Sequence, residues 1–384
     1  MPRVERPATP EACADALRAC AEDRRSVRVR GGGTKDHLGT RRETDVMLET
    51  AGLDGIIDHV PADLTVTVRA GMSFAALRDA LAKHGQFLPL DPPHVARGAT
   101  VGGIIATNSN GFGRYRYGSV RDLLLGVRVA LPDGTIARAG GRVVKNVAGY
   151  DLNKLFIGSF GTLGVVVEAT FKILPVPPVA KAASATFTTP GDAFGAADAL
   201  VRTSLRPTAI VVERTEDRRW RLAIAAAGEA APVDRAMAEL GRLAAARGAS
   251  TEAIGDPEAA LGPLREIVDA ATGGAVVRAA LPLSAQTAFA EAAVRVDRGA
   301  RIVADAASGI AHVHLRDEAG VVAAADGLLA KARVLGGSAR VERTAVAGLD
   351  PFGGPEPAGA FLMRRLKEAF DPNGILEPAR SALG

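Results

Sequence analysis

Over the first 175 residues, short stretches with a hydrophobic period of two alternate with short stretches of helical period. Leu64-Thr65-Val66-Thr67-Val68 places apolar residues at every second position, the pattern of a half-buried strand. Ser73 follows as a helix cap, with Phe74, Leu77, Ala80 and Leu81 falling on one face of the helix it opens. Val127-Arg128-Val129-Ala130-Leu131, the turn Pro132-Asp133-Gly134 and Thr135-Ile136-Ala137 predict a hairpin. A helix is expected from Pro10 to about Glu22, and a strand from Leu163 to Ile173. Leu174-Pro175-Val176-Pro177-Pro178 stops that strand and marks a domain boundary. Beyond it, short strands over 208–213, 220–226, 275–280 and 309–315 alternate with Ala-rich helices, and a last helix spans 358–370. The expected fold class is α+β. Residues 1–176 form a first domain, 177–357 a smaller α+β cap, and 358–384 a helix and tail returning to the first domain.

Glycine punctuates this pattern at five loops: Arg30-Gly31-Gly32-Gly33-Thr34-Lys35, Ala99-Thr100-Val101-Gly102-Gly103, Asn108-Ser109-Asn110-Gly111, Lys145-Asn146-Val147-Ala148-Gly149-Tyr150-Asp151 and Gly158-Ser159-Phe160-Gly161-Thr162-Leu163-Gly164. Without a Cβ the main chain can approach a ligand closely, and successive N–H groups can converge on an anion. The loops therefore suit a large phosphorylated cofactor. No Gly-x-x-x-x-Gly-Lys-Ser/Thr is present, because Lys35 is followed by Asp36. The dinucleotide fingerprint fails as well: Gly111-Phe112-Gly113 has Arg116 where a third glycine belongs, and Gly158, Gly161 and Gly164 are spaced by three throughout. Each loop alone also has a plainer reading, Gly31 to Gly33 as a turn and Gly102-Gly103 as a helix start packed on a sheet.

Taken in order, the loops resemble the vanillyl-alcohol oxidase and p-cresol methylhydroxylase flavoprotein superfamily, over about residues 26–175 and again near 361–378. Val144-Lys145-Asn146-Val147-Ala148-Gly149-Tyr150-Asp151-Leu152 is similar to the FAD-binding subunits of bacterial glycolate oxidases, as is Phe370-Asp371-Pro372-Asn373-Gly374-Ile375-Leu376 near the end. Glu377-Pro378-Ala379-Arg380 departs there from the family's Asn-Pro-Gly-Lys/Arg. The resemblance implies a p-cresol methylhydroxylase-type FAD-binding domain of two α+β subdomains. It implies that Gly31, Gly32, Gly33, Thr34 and Lys35 wrap the pyrophosphate. Thr100, Val101, Gly102 and Gly103 would add donors and approach the flavin ring, with Asn108 and Gly111 continuing that wall. Gly161, Thr162, Gly164 and Val166 would lie along the ribityl and adenosine portion, with Lys145 and Tyr150 as polar contacts beside it. Family members that attach FAD covalently use a His in the first glycine loop. Here that stretch holds Gly32, Gly33 and Thr34, with His37 beyond it, so noncovalent FAD is expected.

Composition narrows the function classes. Only 4% of the 384 residues are aromatic, so the core is mostly Ala, Val and Leu, and base stacking on nucleic acid has little material. The formal charge of +4 comes with acidic residues interleaved nearly everywhere rather than from a basic patch. No apolar run reaches the ~20 residues of a membrane span, and the N-terminus shows no apolar signal region, so the expected location is cytoplasmic, with partner subunits as the route to a membrane. Cys13 and Cys20 fall in one helix, ~10.5 Å apart along its axis, too far for a disulfide. Two thiols cannot carry an iron–sulfur cluster.

Oxidising a 2-hydroxy acid needs a cation for the carboxylate, a base for the hydroxyl proton and a hydride acceptor. Arg97, Arg114 and Arg116 stand near the second and third loops as carboxylate clamps or as solvated loop arginines. His312-Val313-His314 sets two imidazoles on one strand face without the Gly-Asp-Gly-Asn context of related metal-binding caps, and no metal is expected there. His84 and His94 flank Pro89-Leu90-Asp91-Pro92-Pro93, with His94 the better placed to face a pocket. No general base is assigned. The resemblance implies a FAD-binding subunit of a multi-subunit glycolate oxidase, beside a catalytic flavoprotein subunit and an iron–sulfur subunit. A self-sufficient FAD-dependent 2-hydroxy acid dehydrogenase, an assembly subunit without FAD, and a phosphate-binding protein without redox chemistry are the alternatives.

Overall fold

The computed structural model describes residues 2–39, 43–141, 150–270, 274–344, 346, 349, 351 and 359–377. The chain divides into two compact units, the first made of residues 1–110, 118–176 and 355–384, the second of 111–117 and 177–354. The chain thus passes between units at Val176/Pro177, inside the proline cluster. Residues 111–117, with Gly111 among them, belong to the second unit although both flanks belong to the first.

The first unit carries two main sheets. Strands β1 (Arg3–Glu5), β2 (Val27–Arg30) and β3 (Val46–Glu49) form a parallel sheet in the order β1-β3-β2. Its free edge is extended by the C-terminal segment. Val27 donates to Ile375 O, Glu377 N donates to Val27 O, and Val29 N donates to the Glu377 carboxylate at 2.7 Å. Strands β4 (Ile56–Val60), β5 (Thr65–Arg69), β7 (Leu124–Ala130), β8 (Ile136–Gly140) and β9 (Val165–Lys172) make an antiparallel sheet in the order β4-β5-β9-β7-β8, and β6 (Gln86–Phe87) pairs with β10 (Leu174–Pro175). Helix α1 (Pro10–Glu22) is capped by Thr9 and buries Cys13, Leu17 and Cys20 against β2, β3 and β9. Helix α2 (Phe74–Ala82) is capped by Ser73 and buries Phe74, Leu77 and Leu81, the apolar face its sequence spells out. Helix α3 (Val101–Thr107) is capped by Thr100 and lies on β9 through Ile104 and Ile105. The C-terminal helix Ala360–Phe370 packs Leu366 and Phe370 on this core, and Lys367 Nζ donates to Thr162 O, Leu376 O and Asp371.

The second unit is one eight-stranded antiparallel sheet, in the order β14-β11-β13-β12-β16-β17-β15-β18. Its strands are β11 (Val179–Phe187), β12 (Ala209–Arg214), β13 (Trp220–Gly228), β14 (Thr251–Ile254), β15 (Ala275–Ala280), β16 (Arg301–Asp305), β17 (Ile310–Leu315) and β18 (Ser338–Thr344). Four of the strand expectations fall within two residues of β12, β13, β15 and β17. The pairing of β11 and the sheet's width come only with tertiary contacts. Helices Pro190–Val201, Ala230–Ala245, Gln286–Val296 and Val321–Val334 cover one face with Ala, Leu and Val. On the opposite face, helix Pro257–Arg265 and Phe112 cover one part, near β11, β12 and β13. Over β15, β17 and β18 that face is polar: Ala311, Val313 and Leu315 enter the core, so His312 and His314 point the other way.

Candidate functional site

A groove of about 750 Å³, part of it open solvent, runs through the first unit between four of the glycine loops, the third contributing only Ser109. That lies within the range of roughly 300–1,000 Å³ usual for small-molecule sites. Gly31, Gly32, Gly33, Thr34 and Lys35 form one wall, Thr100, Gly102 and Gly103 a second, and Gly161, Gly164 and Val166 a third. Val101 turns into the core instead. Asn108 is exposed at the end of α3, and Thr162 sits behind the third loop, its hydroxyl donating to Ser159 O. Gly111 lies in the second unit, Tyr150 is 89% exposed, and Lys145 lies outside the described residues.

Local chemistry explains why these loops take these shapes. Gly33 has a φ of +70°, which a β-carbon disfavours. At Gly32 the constraint is contact: a Cβ would stand 1.9 Å from Gly98 O. A Cβ on Gly31 would stand 2.3 Å from Thr100 Oγ1. The first glycine loop is therefore pressed onto the second, main chain against main chain. Beside it, Arg30 pairs with Asp36 at 3.0 Å and reaches Glu49 at 3.6 Å.

The donors are unevenly distributed. In α3, Val101 N is spent on Met72 O at 3.0 Å and Gly102 N on Ala70 O at 2.7 Å, while Gly103 N donates to Thr100 Oγ1 at 3.3 Å. This helix start is stitched to the turn that follows β5 and to its own cap, so its first three N–H groups are not offered to the groove. By contrast, among the described residues the N–H groups of Gly31, Gly32, Gly33 and Thr34 make no hydrogen bond. Alternate N–H groups of β2 pair along the free edge, Val27 with Ile375 and Val29 with Glu377, and Gly31 is next in that series. A concavity with unspent main-chain donors on one wall, Lys35 beside them, is the physical result, a shape suited to an anion. The remaining lining includes apolar Val29, Pro93, Ile104, Ala106, Phe160 and Val165 beside polar Thr50, Thr107 and Ser109. Phe160 and Glu377, not among the expected contacts, also line the groove; they lie in the last glycine loop and the closing motif, the sequence signals that could have found them. The His of covalent flavoproteins has no counterpart among the lining residues, and His37 does not line the groove.

A second constellation occupies the polar face of the eight-stranded sheet. His312 Nε2 lies 3.1 Å from the Glu342 carboxylate, and Arg340 reaches its other oxygen at 3.5 Å. Arg278 stands directly opposite both His312 and Arg340 in the ladder. Glu342 is the extra residue of a bulge, since Val276 pairs with Arg343 and Val277 with Val341. Burial opposes ionisation of Glu342, but facing His312, together with Arg340 and Arg278, outweighs it and holds the carboxyl well below its ordinary value. Burial lowers the Arg278 guanidinium, which Glu342 supports and Arg340 and Arg114 oppose. Of the three arginines considered from sequence, Arg114 is thus tied electrostatically to this cluster, whereas Arg97 and Arg116 are exposed. His84 is exposed and His94 buried.

Residues 2–140 match the family model described as an FAD binding domain. The chain is 39% identical to glycolate oxidase subunit GlcE of Escherichia coli (strain K12) over 167 residues, 44% of this chain and 47% of that one. It is 34% identical to the mitochondrial D-lactate dehydrogenase [cytochrome] 1 of Saccharomyces cerevisiae over 208 residues, 53% of this chain and 35% of that one. The matches thus span about half, or less, of these relatives' length. Among solved structures, p-cresol methylhydroxylase with substrate bound superposes with a TM-score of 0.77 at 19% identity, covering 98% of this chain and 88% of that one. No helix among the described residues is long and apolar enough to cross a membrane. The fold is accordingly of the p-cresol methylhydroxylase type, and the residues that match the FAD binding domain model, 2–140, supply the first two glycine walls of the groove.

Proposed function

We propose that this chain is the FAD-binding subunit of a 2-hydroxy acid oxidase or dehydrogenase with glycolate as its substrate, passing electrons through the flavin to partner subunits. The observation that carries the reading is the set of four consecutive main-chain donors at Gly31 to Thr34, without an acceptor among the described residues and lining a groove of about 750 Å³. Hydrogen bonds to a charged group contribute roughly 1.5–3 kcal/mol each, so these donors would hold a pyrophosphate firmly without covalent attachment. Thr100, Gly102 and Gly103 would serve by being small, letting the ring system lie against α3. Gly161, Gly164 and Val166 would flank the remainder. Bound FAD would supply the hydride acceptor for carbinol oxidation. The likeness to glycolate oxidase subunit GlcE, a subunit by name, supports partner subunits, and a catalytic flavoprotein and an iron–sulfur protein are the partners this reading proposes.

One observation favours a second reading, in which the chain itself dehydrogenates its substrate. The second unit's His312–Glu342 pair and the half-buried Arg278 and Arg340 are a base and cations of the kinds that oxidation of a 2-hydroxy acid requires. A carboxylate partner keeps an imidazole oriented for proton transfer, and guanidinium groups suit a substrate carboxylate. Purifying the chain alone and recording its visible spectrum tests both. Flavin bands unchanged by glycolate support the subunit reading, and bands that bleach with glycolate or D-lactate support the self-sufficient enzyme. A colourless protein that takes up no added FAD overturns both.

A further inference from the structure

At one end of the eight-stranded sheet, where β12 and β17 finish and β16 begins, the second unit has a concavity of about 430 Å³, part of it open solvent. Five guanidinium groups line it, those of Arg214, Arg218, Arg298, Arg301 and Arg316, against the single carboxylate of Glu216. Arg214 is buried and donates to Ala300 O at 2.7 Å and Arg298 O at 3.0 Å, acceptors that fix its orientation without cancelling its charge. Burial lowers its affinity for a proton and the neighbouring charges of Arg218 and Arg316 lower it further, with only Asp297 in opposition. Asp297 is itself occupied, accepting from the main chain of Gly299, Arg316 and Asp317 and so shaping the loops that present the arginines. Among the described residues, Arg214, Arg218, Arg298 and Arg301 form no ion pair, and Arg316 reaches only the exposed Glu216, at 3.8 Å. Arg218 is held at a φ of +64° in the β12–β13 turn, which its own N–H closes onto Thr215 O.

So many like charges around one hollow cost free energy unless an anion fills it. We propose that this hollow is a binding site for a small phosphate-bearing anion carrying at least two negative charges. Guanidinium forks match phosphate oxygens, and here they converge from three strand ends and the β12–β13 turn, which suits a tetrahedral group better than a planar carboxylate. No aromatic side chain lines the hollow, so a nucleobase would find no stacking partner. The same chemistry is offered by a free phosphate ester or by a phosphomonoester lipid headgroup.

The test is calorimetric titration of the FAD-saturated full chain with pyrophosphate at low ionic strength, alongside flotation with phosphatidylcholine vesicles containing phosphatidic acid. The expected result is one saturable site that Arg301→Gln/Arg316→Gln weakens by at least about tenfold. The exposed turn variant Arg218→Gln should weaken it to a smaller degree, and Glu216→Gln should bind as tightly or more so. Pyrophosphate binding lost in the double variant supports a free phosphate as the source, and vesicle binding lost in the double variant supports a headgroup. Absence of both, or binding that is unchanged in both Arg301→Gln/Arg316→Gln and Arg218→Gln, overturns the proposal. Since all these residues lie in the second unit, a failed FAD assignment in the first would leave this result standing.

Discussion

In the first unit the groove is walled by main chain, with glycine contacts as close as a would-be Cβ at 1.9 Å from Gly98 O, and its donors are peptide N–H groups. In the second unit the polar face of the sheet is made by side chains, Arg278, His312, Arg340 and Glu342, drawn from three strands. The two regions differ in what a substitution can remove. A peptide donor survives any change of side chain that the loop tolerates, so the groove is vulnerable only through shape. A charged cluster loses its balance with a single carboxylate, which leaves the half-buried arginines without compensation.

The largest expected effect is therefore at Gly32. Gly32→Val should destabilise by more than about 3 kcal/mol, because its neighbour is a carbonyl that cannot rotate away. Absorbance of the purified variant near flavin wavelengths should vanish, and retention of FAD at the wild-type level would break the loop assignment. Next comes Glu342→Gln, expected to cost about 3 kcal/mol in chemical denaturation by leaving Arg278 and Arg340 without their counter-charge. Flavin content should stay at the wild-type level, which sharpens the contrast with Gly32.

The same residue sets an acid dependence. The folded-state Glu342 carboxyl is held well below the ordinary 4.5, so its contribution is complete above that value and drains as pH falls through the lower, folded-state one. Stability should drop as pH falls below about 4.5, and less steeply in Glu342→Gln. Equal slopes in the two proteins would show that the cluster carries no such linkage.

A smaller effect is expected at Thr100. Thr100→Val removes the cap of α3 and should cost about 1 kcal/mol, read as a lowered melting temperature. Smallest is Cys13. Burial pushes its thiol up to about 12, so iodoacetamide at neutral pH should leave it unmodified in the native protein and alkylate it in urea. Cys13→Ser should leave flavin content unchanged, but full burial means a cost of about 1–2 kcal/mol rather than none.

Much of the first unit was legible because its signals are local. Helix α1 runs from Pro10 to Glu22 as its pattern requires, Ser73 caps α2, and the hairpin around Pro132-Asp133-Gly134 becomes β7 and β8. Glycine marks places where a side chain is forbidden, whether by φ at Gly33 or by a facing carbonyl at Gly32. The second unit's cluster was not legible. His312 and His314 stood out as a pair, but Arg278, Arg340 and Glu342 are ordinary charged residues in alternating strands, and a bulge between Val276 and Val277 aims Glu342 at its partners.

By itself, the order of apolar residues and glycines determined where helices, strands and close-packed turns lie, because each depends on a few neighbouring side chains and their allowed dihedrals. Tertiary structure alone decided which donors remain available. The N–H groups at the start of α3 are consumed by Met72 and Ala70, whereas those of Gly31 to Thr34 find no acceptor among the described residues. Hydrogen-bond competition is settled between segments hundreds of residues apart, and no local pattern encodes its outcome.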